Sequence, residues 1–131
     1  MIVDTMVFAY ALLGVEGFRE KALKALESAD IIVVPDSLHA ELVNVVWKWI
    51  SMKGVSLDLG LKVLQDVEGL IDQIIPAEHL WERALQLAVH YRYPAYDTLF
   101  IAAAELLETR VISFDRKLLQ TFPELTVDAG A

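Results

Sequence analysis

The chain has 131 residues, 56% of them hydrophobic, with no cysteine and a formal net charge of −8 at pH 7. That length suits one domain with a sizeable core, and the missing cysteine excludes disulfides, thiolate metal sites and cysteine nucleophiles. The acidic balance argues against a general nucleic-acid-binding module, which draws on a basic surface, and no run reaches the roughly 18 uncharged apolar residues a membrane span needs.

Met1–Val3 reads as a short buried strand, and Asp4 interrupts it before a signal-peptide pattern can form. A cytoplasmic protein is the resulting expectation. Thr5–Leu13 opens a helix that Gly14 and Gly17 punctuate. Phe18–Ser28 is amphipathic, with Ala22, Leu23, Ala25 and Leu26 inward and Arg19, Glu20, Lys24 and Glu27 outward. Ile31–Val34 is β-branched throughout and stops at Pro35, as a buried strand does. Asp36 or Ser37 then caps a long helix to about Met52, with Gly54 as its stop. Ser56 or Asp58 begins another, to about Leu70. Asp72–Ile75 reads as a strand closed by Pro76, Glu78–Tyr91 as a helix, and Ala95–Leu107 as an apolar helix beyond Pro94. Val111–Phe114 is a strand, Asp115–Gln120 a short helix and Leu125–Val127 a last strand. Strands alternating with helices predict right-handed crossovers and a parallel sheet covered on both faces.

Four acids stand out against this pattern. Asp4 follows the first strand, Glu41 lies just inside the long helix, Asp97 starts the apolar helix, and Asp115 follows the fourth strand. In an open parallel sheet such points converge on the crevice at the carboxyl ends of the strands. Carboxylates gathered there repel one another unless a cation neutralises them, and hard oxygen donors suit Mg²⁺ or Mn²⁺. Each acid also has a plainer reading. Asp4, Asp97 and Asp115 all stand where helix caps stand. Glu41 sits among Leu38, Leu42, Val45 and Val46, where a lone carboxylate is costly, but Lys48 shares its face and is an alternative partner. Arg92, Arg116 and Lys117 lie close in sequence to the acids and are candidates for substrate phosphates, or simply solvated charges. His39, His79 and His90 have no ligand spacing. Trp47 and Trp49 are two apart, so at most one faces the core and the other is free to anchor a partner. Core packing is the expectation for Trp47, Trp81, Phe8 and Phe100.

The ordered set Ile2-Val3-Asp4-Thr5, Pro35 and Ser37 leading to Glu41-Leu42-Val43-Asn44, Tyr96-Asp97-Thr98, and Ser113-Phe114-Asp115-Arg116-Lys117 resembles PIN-domain ribonucleases of the VapC toxin type. The likeness covers essentially the whole chain. It implies one PIN-like domain over residues 1–131, an α/β/α sandwich around a parallel sheet of about five short strands. It implies that Asp4, Glu41, Asp97 and Asp115 hold Mg²⁺ or Mn²⁺ and cut RNA, with Thr5, Asn44 and Ser113 as polar support. It further implies a homodimer and a small basic antitoxin partner, for which the first two helices and the Trp47/Trp49 helix offer apolar surface. One departure is Met6, where relatives often carry Ser or Asn.

Three other readings compete. An aspartyl phosphatase wants a second Asp two residues after the first, and that position is Met6; a receiver domain wants an acidic pair after the first strand, and Asp4 has no acidic neighbour. A non-catalytic PIN-like binding or dimerisation module is the third, and it gives no reason to keep four converging acids.

Overall fold

The structure, a computed structural model, describes residues 1–131. Five short parallel strands form one sheet: β1 (Ile2–Val3), β2 (Val33–Pro35), β3 (Gln73–Ile75), β4 (Val111–Ser113) and β5 (Thr126–Asp128). Their spatial order is β3-β2-β1-β4-β5. The chain first winds outward from β1 through β2 to β3, then returns to the other side of β1 for β4 and β5. The order therefore reverses between β1 and β4, and a crevice opens at the carboxyl ends of those two strands. Ile2 and Val3 pair with Val111 and Ile112 in register, which brings the residues that follow, Asp4 and Ser113, alongside each other.

Seven helices surround the sheet: α1 (Thr5–Leu13), α2 (Arg19–Ser28), α3 (Ser37–Lys53), α4 (Leu57–Glu68), α5 (Trp81–Tyr91), α6 (Ala95–Leu106) and α7 (Arg116–Thr121). The architecture is the expected one, a parallel sheet of five short strands between layers of helices. α6 lies across β2, β1 and β4 with α5 packed on it, and α1 contacts β4 and gathers α2, α3 and α4. The run Phe100-Ile101-Ala102-Ala103-Ala104 of α6 is buried along its whole length, as a helix between a sheet and another helix must be. Small alanines let the layers approach. The buried Thr98 hydroxyl donates to the Ala84 carbonyl of α5 at 2.7 Å, so no polar group is stranded there.

Boundaries shift by one or two residues from the sequence pattern. The second strand is displaced most. Ile31 is exposed, and β2 runs into Pro35 instead of stopping before it. Pro35 is the last residue of β2, and the next donor along the chain, Asp36 N, closes the ladder on Ile75 O at 2.9 Å. Asp36 and Ser37 do not cap α3 with their side chains; Asp36 Oδ1 instead accepts from Ala77 N at 3.1 Å. The segment expected as one helix from Glu78 is a 3-10 turn at Ala77–His79 followed by α5. Phe8 and Phe100 are core residues as expected, but Trp47 and Trp81 are not, being 58% and 63% exposed. α1 is also largely buried, so the free apolar surface is not on the first helix. It lies on α3, α4 and α5, at Val43, Trp47, Leu57, Leu61, Trp81, Leu85 and Val89. No helix is long and apolar enough to cross a membrane.

Candidate active site

Asp4 leaves β1 and becomes the N-cap of α1, its Oδ1 accepting from Thr5 N at 2.8 Å. Its Oδ2 accepts from Ser113 Oγ, at the end of β4, at 2.7 Å. Ser113 is fully buried, and its Oγ also accepts from Asp115 N at 3.0 Å. One hydroxyl thus ties the two strands' acids together across the switch point. Asp115 is the N-cap of α7, with Oδ1 accepting from Lys117 N and Leu118 N at 3.0 and 3.2 Å. The cap reading therefore holds for Asp4 and Asp115 alongside any other role. It fails for Asp97, which lies in the first turn of α6, a helix that starts from Pro94 without a side-chain cap.

Glu41 reaches the same place from α3, one turn in from β2, and its Oε2 accepts from the buried Thr5 hydroxyl at 3.5 Å. Lys48 does not neutralise it. The ion pairs of the chain are His39–Glu68, Lys62–Asp66, Arg83–Glu105 and Arg116–Asp128, and none includes Asp4, Glu41, Asp97 or Asp115.

Three of the carboxylates, Asp4, Glu41 and Asp97, are shifted in their ionisation by burial and by their acidic neighbours. Burial raises the Glu41 pKa to about 8, helped by the charges of Asp4 and Asp97. Burial raises Asp97 to about 6, with Asp4 and Asp115 adding to the rise and Lys117 opposing it. Asp4 is also raised, by burial first and by Asp115 last, against the lowering effect of its bonds from Ser113 and Thr5 N. Like charges in a partly dry crevice with no paired cation account for all three.

The donor chemistry, oxygen throughout, fits a hard divalent cation. The spacing as it stands does not close on one: no group of three or more His, Asp or Glu side chains is arranged to hold a metal ion. Both Asp115 oxygens are engaged, by the α7 backbone and by the Tyr93 hydroxyl, which donates to Oδ2 at 3.4 Å.

The supporting residues divide. Thr5 and Ser113 bond to the acids as expected. Asn44 forms no bond to them; it is exposed and shares a recess with Glu41. Of the three basic candidates only Lys117 acts on the site, lying over the Tyr93 ring at 5.0 Å and lowering Asp97. Arg116 turns away to Asp128 at 3.5 Å. Arg92 ends α5 in a left-handed conformation (φ 53°). Met6 is partly buried against the core. Tyr93 was not foreseen. It is 5% exposed, and burial with the Asp115 and Asp97 charges pushes its pKa upward, so it stays a neutral donor. The one sequence signal for it is a tyrosine, with its polar tip, immediately before the Pro94 that opens α6.

Residues 1–122 match the family model described as PIN domain. No curated protein matches the chain by sequence. Among solved structures the chain is similar to one from a toxin–antitoxin complex of Klebsiella pneumoniae, with 17% identity, TM-score 0.71, and 98% of this chain and 96% of that one covered. It is also similar to PAE2754 from Pyrobaculum aerophilum, at 19% identity and TM-score 0.72 over 95% of this chain and 81% of that one. A third is a chain of VapBC2 from Rickettsia felis bound to a promoter DNA fragment, at 12% identity and TM-score 0.64, with 96% of each chain covered.

Proposed function

The chain belongs to the PIN-domain family, and on that premise we propose that it is a Mg²⁺- or Mn²⁺-dependent endoribonuclease, the VapC-type toxin of a toxin–antitoxin pair. The observation that carries the nuclease reading is the crevice between β1 and β4, where buried, mutually repelling carboxylates meet with no paired cation. Such an arrangement is costly for a scaffold and useful for holding a divalent ion against a phosphodiester. The toxin reading draws on the Klebsiella and Rickettsia neighbours, which come from toxin–antitoxin assemblies.

In this reading Asp4, Asp97 and Asp115 hold the ion, and Glu41 holds it or orients the attacking water. The cation, when bound, supplies positive charge that favours ionisation of a nearby water and offsets charge on the phosphodiester. Ser113 fixes the Asp4 carboxylate by its 2.7 Å bond. Tyr93 holds one oxygen of Asp115 by its 3.4 Å bond. Glu41, its pKa raised to about 8 by burial and by the Asp4 and Asp97 charges, keeps its proton near neutral pH unless a cation offsets those charges. Lys117, beside Asp97, attracts the substrate phosphate. Arg92 and Arg116 are not assigned that role. A small basic antitoxin and a second copy of the chain are the proposed protein partners, the net charge of −8 favouring a basic one.

The test is cleavage of a tRNA and rRNA panel by the purified protein with Mg²⁺ or Mn²⁺. Asp4→Asn and Asp97→Asn lower the rate by about a hundredfold or more, as loss of a metal ligand does, with an unchanged circular dichroism spectrum. Full activity in EDTA, or in both variants, overturns the assignment.

A further inference from the structure

Beside the carboxylates, α3 and the start of α6 enclose a recess that the proposed chemistry does not use. It has a volume of about 370 Å³ and is lined by Ser37, Ala40, Glu41, Asn44, Val45 and Tyr96. That volume is in the range of small-ligand sites, roughly 300–1,000 Å³. Two of its walls have unspent binding capacity. Asn44, four residues before Lys48 on the same helix, presents a free amide with both donors and an acceptor. Tyr96 is 68% exposed, an aromatic face with nothing upon it. Ala40 and Val45 supply apolar contact. Glu41 belongs both to the recess and to the acidic crevice, so an occupant lies against the reacting centre.

A flat π face, an amide and an apolar floor are the groups that grip an unpaired base. The charge of the chain points the same way. With a net charge of −8 the chain gains little from phosphate contacts beyond Lys117 and the cation site, so contacts with the bases carry more of its affinity for RNA. We propose that this recess binds one unpaired RNA base, that of the nucleotide next to the cut phosphodiester, with Tyr96 stacking on it and Asn44 bonding its edge. The proposal rests on the nuclease reading for its substrate, and it makes Asn44 and Tyr96 specificity residues. A paired base does not fit, because its edge and faces are taken up in the helix.

Asn44 is the only asparagine of the chain, so labelling with ¹⁵N-asparagine gives a single side-chain amide pair to watch. The full chain is titrated, without divalent metal, with adenosine, guanosine, cytidine and uridine at millimolar concentration, and with ribose as the control. The Asn44 side-chain signal should move and saturate with at least one nucleoside and stay still with ribose. Tyr96→Ala should weaken that response about tenfold, the loss expected for one stacking platform. On RNA, Tyr96→Ala and Asn44→Ala should raise KM more than they lower kcat and flatten the base preference beside the cut. An Asn44 signal that ignores all four nucleosides, or follows ribose equally, overturns the proposal. So does a signal that moves with protein concentration alone, which marks the recess as a contact between copies. Binding is read without metal or cleavage, so the two readings fail separately. A protein that cuts RNA while Asn44 stays still keeps the nuclease and loses the recess; saturation of Asn44 in a protein that cuts nothing does the reverse.

Discussion

Replacing Glu41 by glutamine should make the metal-free protein more stable, and only at high pH. The folded chain raises the Glu41 pKa from 4.5 to about 8, first by burial and then by the charges of Asp4 and Asp97. A raised carboxyl favours the folded state fully below its unfolded value, and the benefit is lost as pH climbs through the folded one. The window therefore runs from about pH 4.5 to about pH 8. At about 1.4 kcal/mol for each tenfold change in proton affinity the displacement has an upper bound of about 5 kcal/mol. Glu41 is only partly buried, and solvent screening reduces this to about 1–2 kcal/mol. Glutamine keeps the shape and removes the charge. In EDTA at about pH 9 the variant should melt about 3–8 °C above the parent, and the two should coincide at about pH 5. Millimolar Mg²⁺ should raise the parent's Tm at high pH by mass action and raise the variant's less. Thermal melts by circular dichroism at both pH values, with and without Mg²⁺, measure all of this. A Glu41→Gln protein that melts lower at pH 9, or gains as much from Mg²⁺ as the parent, would refute the idea of an uncompensated acidic crevice.

The same protons compete with the ion. The half-saturating Mg²⁺ concentration for RNA cleavage should fall steeply as pH rises from about 6 to about 8, the values held by Asp97 and Glu41; a flat dependence contradicts the assignment. Ser113→Ala removes the donor to Asp4 and the acceptor of Asp115 N. It should cost about 2–3 kcal/mol in urea denaturation and raise the Mg²⁺ requirement, since the bond that lowers the Asp4 pKa is lost. An unchanged midpoint and metal requirement would mean the hydroxyl is idle. The exposed apolar face of α5, with Trp81, Leu85 and Val89, is where we place the proposed contact between two copies: Trp81→Ser should change the stability of the single chain by less than about 1 kcal/mol while shifting the sedimenting species toward the single chain. A species of unchanged mass would place the contact between copies elsewhere.

The sheet and its crevice were legible because strands alternate with helices and each acid sits at a strand end or helix start, positions that period and turn residues mark. Side-chain direction was less so. Trp47 and Trp81 read as core because tryptophan is usually buried, but each lies on a helix whose opposite face already meets the protein. Asn44 stands three residues after Glu41 and still points past the acids into the recess. Arg116 is adjacent to Asp115 in sequence, yet capping turns its guanidinium toward Asp128. Tyr93 comes from the turn between α5 and α6, where no periodicity reports which residue tucks inward. Ser37 was read as a cap, and its burial without a partner is a tertiary fact that no local pattern carries.

Asp4 and Asp115 each perform two jobs with the same few atoms: one begins α1, the other begins α7, and both face the place where catalysis is proposed. Erasing either carboxylate down to a methyl group would loosen a helix start and blunt any reaction together, so an alanine scan of these positions would confound misfolding with lost chemistry. Asparagine, which retains an oxygen for the backbone N–H groups, separates the two. For a chain of this design, inactivation without collapse is open through the amide and largely closed through truncation.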